Sequence, residues 1–577
     1  MTQSFYSRWV PQLPIVVAIL LTLPSVWVGL QLDDYFHWAL VTHNELVSAG
    51  KDLGGLFGLF TFLDGDVKRT QFLMDQGMVP WWTLPDIKYA FWRPVSELTH
   101  AIDYSLWPKR PVLMHLHSLF YFGLVLFVAH RLFKLLIVDS STVVLATWLF
   151  ALSYTHGLPA GWLANRNALL ATLFVILTLY CHHRWRDQAQ SKWLVGGLIA
   201  FALGLLSGEL AVSAGLILFS YALFLENKPG ITRLLTIAPY AALGLVWIIL
   251  RAMMGYGAKG SGHYIDPTDF GSAISTVLGR AVELLFGQFF SAPPEIMTLF
   301  PGRLPVEIIL LALLVVALVP FILHNKTARF WAFAALICVL PVCATIPHSR
   351  LLFCVSLAAA PLVALFVTQR KSLTAYQSGL RFLATPVSAV LLLAGFVLSP
   401  LLLPFESVSI RLAMDSSVNK GALNLPVENA GVDRVFLINP PMSSIAGYMN
   451  GIRSYHGLPV AEAVVPLVSG LQTLQVERVS ETAIEVSAPK GAYNEVQEGL
   501  LRAPSNRFVE NDQVSFSGIQ ATVKAVNELG VPSVVLFDFG VTLDSVKLLH
   551  WNKGNPEACS LKIAKRIELS PKSEHCD

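Results

Sequence analysis

Charge is scarce in this chain of 577 residues: Asp, Glu, Lys and Arg together make 14%. Soluble domains carry about 25% charged residues, so this shortage argues against a water-soluble enzyme, a disordered chain or a coiled coil. The net charge of +3 gives no basic footprint for a nucleic-acid partner. Cysteine is rare as well, with 6 in the chain, too few and too scattered for a disulfide framework or a zinc ribbon. Fixed-period repeats and low-complexity runs are missing too. Apolar residues dominate instead, at 54%, with a mean hydropathy of +0.57. The balance describes a polytopic, mainly α-helical integral membrane protein.

A membrane helix needs roughly 20 mostly apolar residues to cross about 30 Å of hydrocarbon. Spans are expected near 11–30, 111–135, 141–159, 167–183, 193–207, 209–225, 234–253, 306–323, 330–346, 350–368 and 382–403, eleven in all. His182-His183-Arg184-Trp185-Arg186, Lys192, Lys228, Arg233, Lys326, Arg329, Arg370, Lys371 and Arg381 then share one face. The positive-inside rule makes that face cytoplasmic, with the N-terminus, carrying Arg8, inside and the C-terminal region outside. Trp193 to Leu225 holds one charge, Glu209. As a single helix it would run roughly 50 Å, too long for a bilayer, so two short helices meeting at Glu209 are expected. No small-residue cleavage site follows the first span, which is read as an anchor rather than a signal peptide.

Three outer segments remain. Residues 31–110 read as a long loop with interfacial helices, its Trp81-Trp82, Phe91-Trp92 and Trp107 suited to the headgroup layer. Residues 255–305 begin with Gly255, Gly257, Gly260 and Gly262 and turn helical around Ala273–Phe290. Hydropathy falls after Pro404, and strand-like runs follow at 434–438, 513–516 and 532–537, with turn signals at Pro440-Pro441 and Ala488-Pro489-Lys490-Gly491. Residues 1–403 are thus expected to form the membrane domain and 404–577 a β-rich extracytoplasmic domain. Cys559 and Cys576 lie in the latter, where an oxidising compartment would allow a bridge. Cys338, Cys343 and Cys354 read as apolar fillers within spans.

Polar residues beside apolar spans carry the functional information, because a charge at a helix centre costs roughly 2.5–3.5 kcal/mol. Five outer connections contribute such groups: Asp33, Asp34, Arg93 and Asp103 on the first loop; His156 and Arg166; Glu209 at the hairpin apex; Arg251 at the end of the seventh span; His348 and Arg350. Each also has a structural reading. The aspartates can mark a helix end in water, the arginines can reach phosphate headgroups, and His156 can be a satisfied structural histidine. Glu209 is hardest to assign to structure alone, an ion pair with Arg166 or Arg251 being the alternative. Taken together, the groups suggest one shared cavity at the outer membrane boundary.

The strings Phe91-Trp92-Arg93-Pro94-Val95 and Ala101-Ile102-Asp103-Tyr104-Ser105-Leu106-Trp107 resemble the "WRP…LDYxLW" segment of GT-C membrane glycosyltransferases. That family includes bacterial relatives of the transmembrane and tetratricopeptide-repeat O-mannosyltransferases. Leu32-Asp33-Asp34 is similar to its "DD" after the first span. His156, Trp162 and Arg166 stand at the spacing of its "HxxxxxWxxxR" element. Leu206-Ser207-Gly208-Glu209 resembles its "LSKE", with Gly208 in place of lysine. Arg251 before the glycine-rich run and Arg350-Leu351-Leu352 also fit. The resemblance covers about 1–370, in order, and the tetratricopeptide repeats are missing.

The resemblance implies a GT-C-like core in a bacterial inner membrane and a polyprenyl-phosphate or -diphosphate sugar as donor. It implies transfer to an extracytoplasmic glycan or protein acceptor, with no nucleic-acid partner. Asp34, or its neighbour Asp33, would be the general base of an inverting displacement. Arg93, His156, Arg166, Arg251, His348 and Arg350 would cradle the phosphate, with Glu209 orienting a cation or binding sugar. No cofactor is expected; Asp33, Asp34 and Glu209 could hold a divalent cation, but carboxylates alone are a weak metal signature. Two rivals stand beside this reading. A transporter or flippase would normally show an internal repeat and polar groups at the midplane. A non-catalytic GT-C-like scaffold is the other, to which Gly208 gives some weight.

Overall fold

The computed structural model describes residues 12–42, 58–265, 270–370, 381–494, 498–552, 554–559 and 566–570. The chain divides into two compact units. One comprises residues 1–30, 92–254 and 267–410; the other comprises 31–91, 255–266 and 411–577.

The first unit is helical. Among the described residues, six helices are long and apolar enough to cross a membrane, and eight if two bent pairs each count as one span. Pro111–Leu136, Leu163–Gln188, Leu304–His324, Ser349–Gln369 and a run beginning at Phe382 coincide with expected spans. Ser140–Ala151 with Tyr154–Gly161, bent by 49°, and Gly230–Thr236 with Ala238–Met253, bent by 54°, are the broken pairs. Ala273–Phe290, expected as a helix of the second outer loop, also passes on length and composition. Leu13–Trp27, Ser191–Leu205 and Glu209–Phe224 are apolar but shorter, and the last two meet at Glu209 as their sequence suggests. The protein is therefore an integral membrane protein, with six to eight candidate spans among the described residues.

Local chemistry sets several helix ends. Asp139 accepts the Thr142 N–H at 2.8 Å and opens Ser140–Ala151, while Asn325 caps Lys326–Val342 in the same way. Gly157 and Gly161 let the short helix between them lie against another. A Cβ at Gly161 would stand 1.9 Å from the Ser407 carbonyl oxygen, and one at Gly157 would stand 2.4 Å from Glu406 Cβ. This small-residue spacing is the kind that brings helices into backbone contact in membranes.

The second unit is β-rich. Its strands, in chain order, are β1 (Thr61–Asp64), β2 (Lys88–Ala90), β3 (Gly257–Lys259), β4 (Arg434–Ile438), β5 (Ala463–Val468), β6 (Leu474–Arg478), β7 (Ala483–Ser487), β8 (Gln513–Phe516), β9 (Ile519–Val526), β10 (Pro532–Asp538), β11 (Lys547–Asn552), β12 (Asn555–Ala558) and β13 (Arg566–Leu569). The three runs read as strands from sequence are β4, β8 and β10. Three sheets form among the described residues, ordered β1-β2-β3, β13-β6-β7-β10-β9-β8 and β12-β11-β4-β5. In the last, β11, β4 and β5 run parallel, and helix Ser444–Tyr455 makes the β4-to-β5 crossover.

One expectation is overturned here. Trp81 and Trp82 do not lie at a headgroup layer; they are buried at 1% and 0% exposure in the core of this unit. Trp81 Nε1 donates to the Leu467 carbonyl at 3.0 Å, and its ring stacks on Phe516. Trp82 stacks on Tyr493. Burying two indoles among β-sheet aromatics removes more apolar surface from water than a half-immersed position would. Cys559 is disulfide-bonded, whereas Cys576 lies outside the described residues. Cys338, Cys343 and Cys354 are buried and free.

Candidate functional site

The residues nominated from sequence fall into both units: Asp33 and Asp34 into the β-rich unit, the other seven into the helical one.

Within the helical unit, Arg93 and Glu209 form an ion pair, with Arg93 Nη2 and Nε 2.8 and 2.9 Å from Glu209 Oε2. Both side chains keep some exposure, 18% and 29%. Glu209 thus pairs with neither of the arginines first considered for it. Its other oxygen, Oε1, has no hydrogen-bond partner among the described residues. Arg251 lies over the Trp247 ring, and its Nε likewise lacks a partner. Arg350 lies over Trp162, with its guanidinium carbon 5.5 Å from the ring centroid.

Arg166 is placed differently. It is fully buried, with Nη2 2.5 Å from Asp103 Oδ2. Its Nε donates to Ser118, Nη1 to the Thr99 carbonyl and Nη2 to the Met114 carbonyl. His117 Nδ1 lies 2.7 Å from the other Asp103 oxygen. A guanidinium so engaged has its donors directed at protein groups, so phosphate is not its natural partner here. His156 is also fully buried. Its ring stacks on Phe353 at 4.1 Å and meets Phe122 and Phe150 edge-on. Among the described residues, neither ring nitrogen has a hydrogen-bond partner. Each unmet buried polar atom costs about 1–3 kcal/mol. His156→Leu, close in volume, is therefore expected to leave the protein as stable as before or about 1 kcal/mol more stable. Thermal unfolding of the purified variant checks this, and a marked loss would show that the imidazole has a partner.

His348 belongs to a cluster that sequence reasoning did not find. Glu295 accepts the Ser349 N–H at 2.9 Å and the Ser349 hydroxyl at 2.5 Å, and His348 Nδ1 lies 3.4 Å from Glu295 Oε1. Desolvation lowers His348 to about 4, Arg350 acting the same way and Glu295 opposing, so the imidazole is neutral near pH 7. Buried Tyr154 faces Glu295 and Glu406 and donates to the Gly287 carbonyl at 3.0 Å. The serine and the carboxylates carry no motif, which is why their spacing gave no signal. A separate small cavity of about 40 Å³, lined by Ser153, Gln288, Ser291, Ser356 and Ser399 among others, contains none of the nominated residues.

Within the β-rich unit, Asp33 and Asp34 form the first turn of helix Asp33–Val41, where carboxylates are stabilised by the helix dipole. The residue before them, Leu32, has φ 46° and ψ −114°, a conformation that leucine rarely adopts. Such strain costs of order 1–3 kcal/mol and clusters at functional positions. Asp34 is fully buried and accepts the Gln31 N–H at 2.9 Å. Asp33 is partly exposed, and its Oδ1 accepts the Tyr448 hydroxyl at 2.5 Å. No group of three or more His, Cys, Asp or Glu side chains gathers as a metal site among the described residues.

Helical spans together with a β-rich unit define an integral membrane protein. In comparisons, no family model matches the chain, and no curated protein matches it. Solved structures are similar to it at low identity, among them the following two. One is the Archaeoglobus fulgidus oligosaccharyltransferase tethered with an acceptor peptide containing the NVT sequon. That match has a TM-score of 0.41 at 12% identity and covers 80% of this chain, which spans 64% of the length of that one. The other is ArnT from Cupriavidus metallidurans in the apo state, with a TM-score of 0.37 at 14% identity over 78% of this chain and 84% of that one.

Proposed function

We propose that this protein is a membrane glycosyltransferase of the GT-C kind. It moves a sugar from a polyprenyl-phosphate or -diphosphate donor to an extracytoplasmic acceptor, in a single inverting displacement. The observation that carries the reading is the Asp33-Asp34 pair, held at a helix N-terminus behind a strained leucine. Backbone strain of this kind is found more often at functional positions, which supports a use for the two carboxylates beside it.

The chemistry follows from the residue types. An ionised carboxylate of the pair takes the proton of the acceptor hydroxyl as its oxygen forms a bond to the anomeric carbon. The bond from that carbon to the phosphate oxygen breaks, and its electron pair remains on the phosphate. Arg93, Arg251 and Arg350 are assigned to that developing charge, since guanidinium offers paired donors to phosphate oxygens. Glu209 orients Arg93, and neutral His348 serves as a hydrogen-bonding group beside Arg350. Arg166 acts through Asp103 as a positioning residue, and His156 acts through packing. The eleven-span topology, the outer location of the β-rich domain and the bacterial inner membrane belong to this same reading.

The test is the full chain in lipid nanodiscs, incubated with a panel of polyprenyl-phosphate and -diphosphate sugars and water or simple glycosides as acceptors. Release of free polyprenyl phosphate or diphosphate is expected for at least one donor. Intact donor throughout, together with movement of a lipid-linked sugar across vesicle leaflets, would favour a flippase instead.

A further inference from the structure

We propose that the C-terminal region is a support for the carboxylate pair, and that Tyr448 is a positioning residue that orients Asp33 and sets its proton affinity. The catalytic consequence rests on the transferase reading; the positioning itself does not.

The case lies within the β-rich unit. Tyr448 belongs to helix Ser444–Tyr455, the crossover between β4 and β5, and donates its hydroxyl to Asp33 Oδ1 at 2.5 Å. Helix Asp33–Val41 lies along this crossover helix through two edge-on ring contacts. Tyr455 meets Tyr35 at 5.5 Å and Trp38 at 5.2 Å between centroids. A second tether holds the head of the helix: Asn419 Nδ2 donates to Gln31 Oε1 at 3.1 Å, and the Gln31 N–H in turn reaches Asp34. The crossover helix is itself fixed, because a Cβ at Gly447 would stand 2.5 Å from the Met78 carbonyl oxygen. No side chain fits there, so the helix, and with it Tyr448, sits against the Met78 backbone.

The groups facing this pair are mostly acidic or phenolic. Asp34 lies near both Tyr35 and Tyr448, and Asp415 near Tyr35, Asp415 being paired to Arg411 at 2.8 Å and bonded by Asn419. Tyr455, against Tyr35 and Trp38, in turn packs on the His456 ring. Burial and the neighbouring Asp33 and Asp34 charges hold the Tyr448 phenol well above its ordinary range, so it remains a donor at working pH. A donor to a carboxylate favours the charged form and therefore lowers its proton affinity. Without Tyr448, Asp33 should be protonated at higher pH, and a base that must be ionised would lose activity from the acid side.

The experiment is an infrared titration of full-length protein in nanodiscs, labelled with carboxyl-¹³C aspartate. Subtracting the spectrum of Asp33→Asn isolates the Asp33 band. Tyr448→Phe is expected to move that titration up by about one pH unit. Should Tyr448→Phe fail to fold, 3-fluorotyrosine placed at 448 keeps the ring and makes a stronger donor, and should move it down instead. Titrations that coincide with wild type, whatever the change in melting temperature, would overturn the proposal, because a merely structural tyrosine alters stability alone. The donor panel separates the two readings. A shifted titration with no transfer from any polyprenyl-phosphate sugar leaves the positioning role standing and removes the transferase. Where transfer occurs, the acid limb of its pH profile should shift by the same amount.

Discussion

Replacing Arg166 with leucine is expected to destabilise the helical unit by about 3–5 kcal/mol, because it strands a buried carboxylate. Arg166 and Asp103 are 0% and 1% exposed, at 2.5 Å from each other. Leucine would leave Asp103 with the His117 contact at 2.7 Å but without its cation. It would also leave the Ser118 hydroxyl and the Thr99 and Met114 carbonyls without their guanidinium donors. Asp103→Leu should cost a similar amount by leaving the guanidinium unmatched. The double variant should recover part of the loss, since replacing both partners of a buried pair with apolar groups is often near neutral. Thermal unfolding in detergent of wild type, both single variants and the double variant gives the cycle. Single variants within about 1 kcal/mol of wild type would mean that the pair is solvated after all. A role in phosphate binding predicts the opposite pattern, lost transfer with unchanged stability.

This ion pair shows which parts of the protein were legible in the sequence. Helices were, because a long apolar run is a local property that hydropathy reads directly, and so were β4, β8 and β10 between their turn residues. Glu209 was recognised as needing a partner, since a carboxylate in an apolar stretch is costly wherever it sits. Its partner was not, because Arg93 is 116 residues away and nothing in either segment encodes the meeting. Glu295 and Ser349, 54 residues apart, were missed for the same reason. Trp81-Trp82 failed differently. Two indoles in a polar loop fit a headgroup layer and a protein core equally well, and only the β-sheet aromatics decide between them. The burial of Arg166 and His156 is not legible from their spacing: a motif gives residue type and order, not the direction of a side chain.

The largest effect on activity is expected from Asp33→Asn with Asp34→Asn. Asparagine keeps the shape of each side chain. Its Oδ1 can still accept from Tyr448 and from the Gln31 N–H, as Asp33 and Asp34 do. What is lost is the negative charge at the head of helix Asp33–Val41, worth about 0.3–1 kcal/mol at each position. The fold should therefore survive with a slightly lower melting temperature. Catalysis should not: an amide cannot take the acceptor proton, and removal of a general base lowers rates by about 10²–10⁴-fold. The single variants should be unequal. Asp34 is fully buried, whereas Asp33 is partly exposed, so Asp33→Asn should carry most of the loss. Donor turnover measured at fixed pH for all three variants, with melting temperatures alongside, separates chemistry from folding. A stable double variant that turns over donor as fast as wild type would remove Asp33 and Asp34 from the mechanism. The cluster of Glu295, Ser349 and His348 would then be the next place to look for a base.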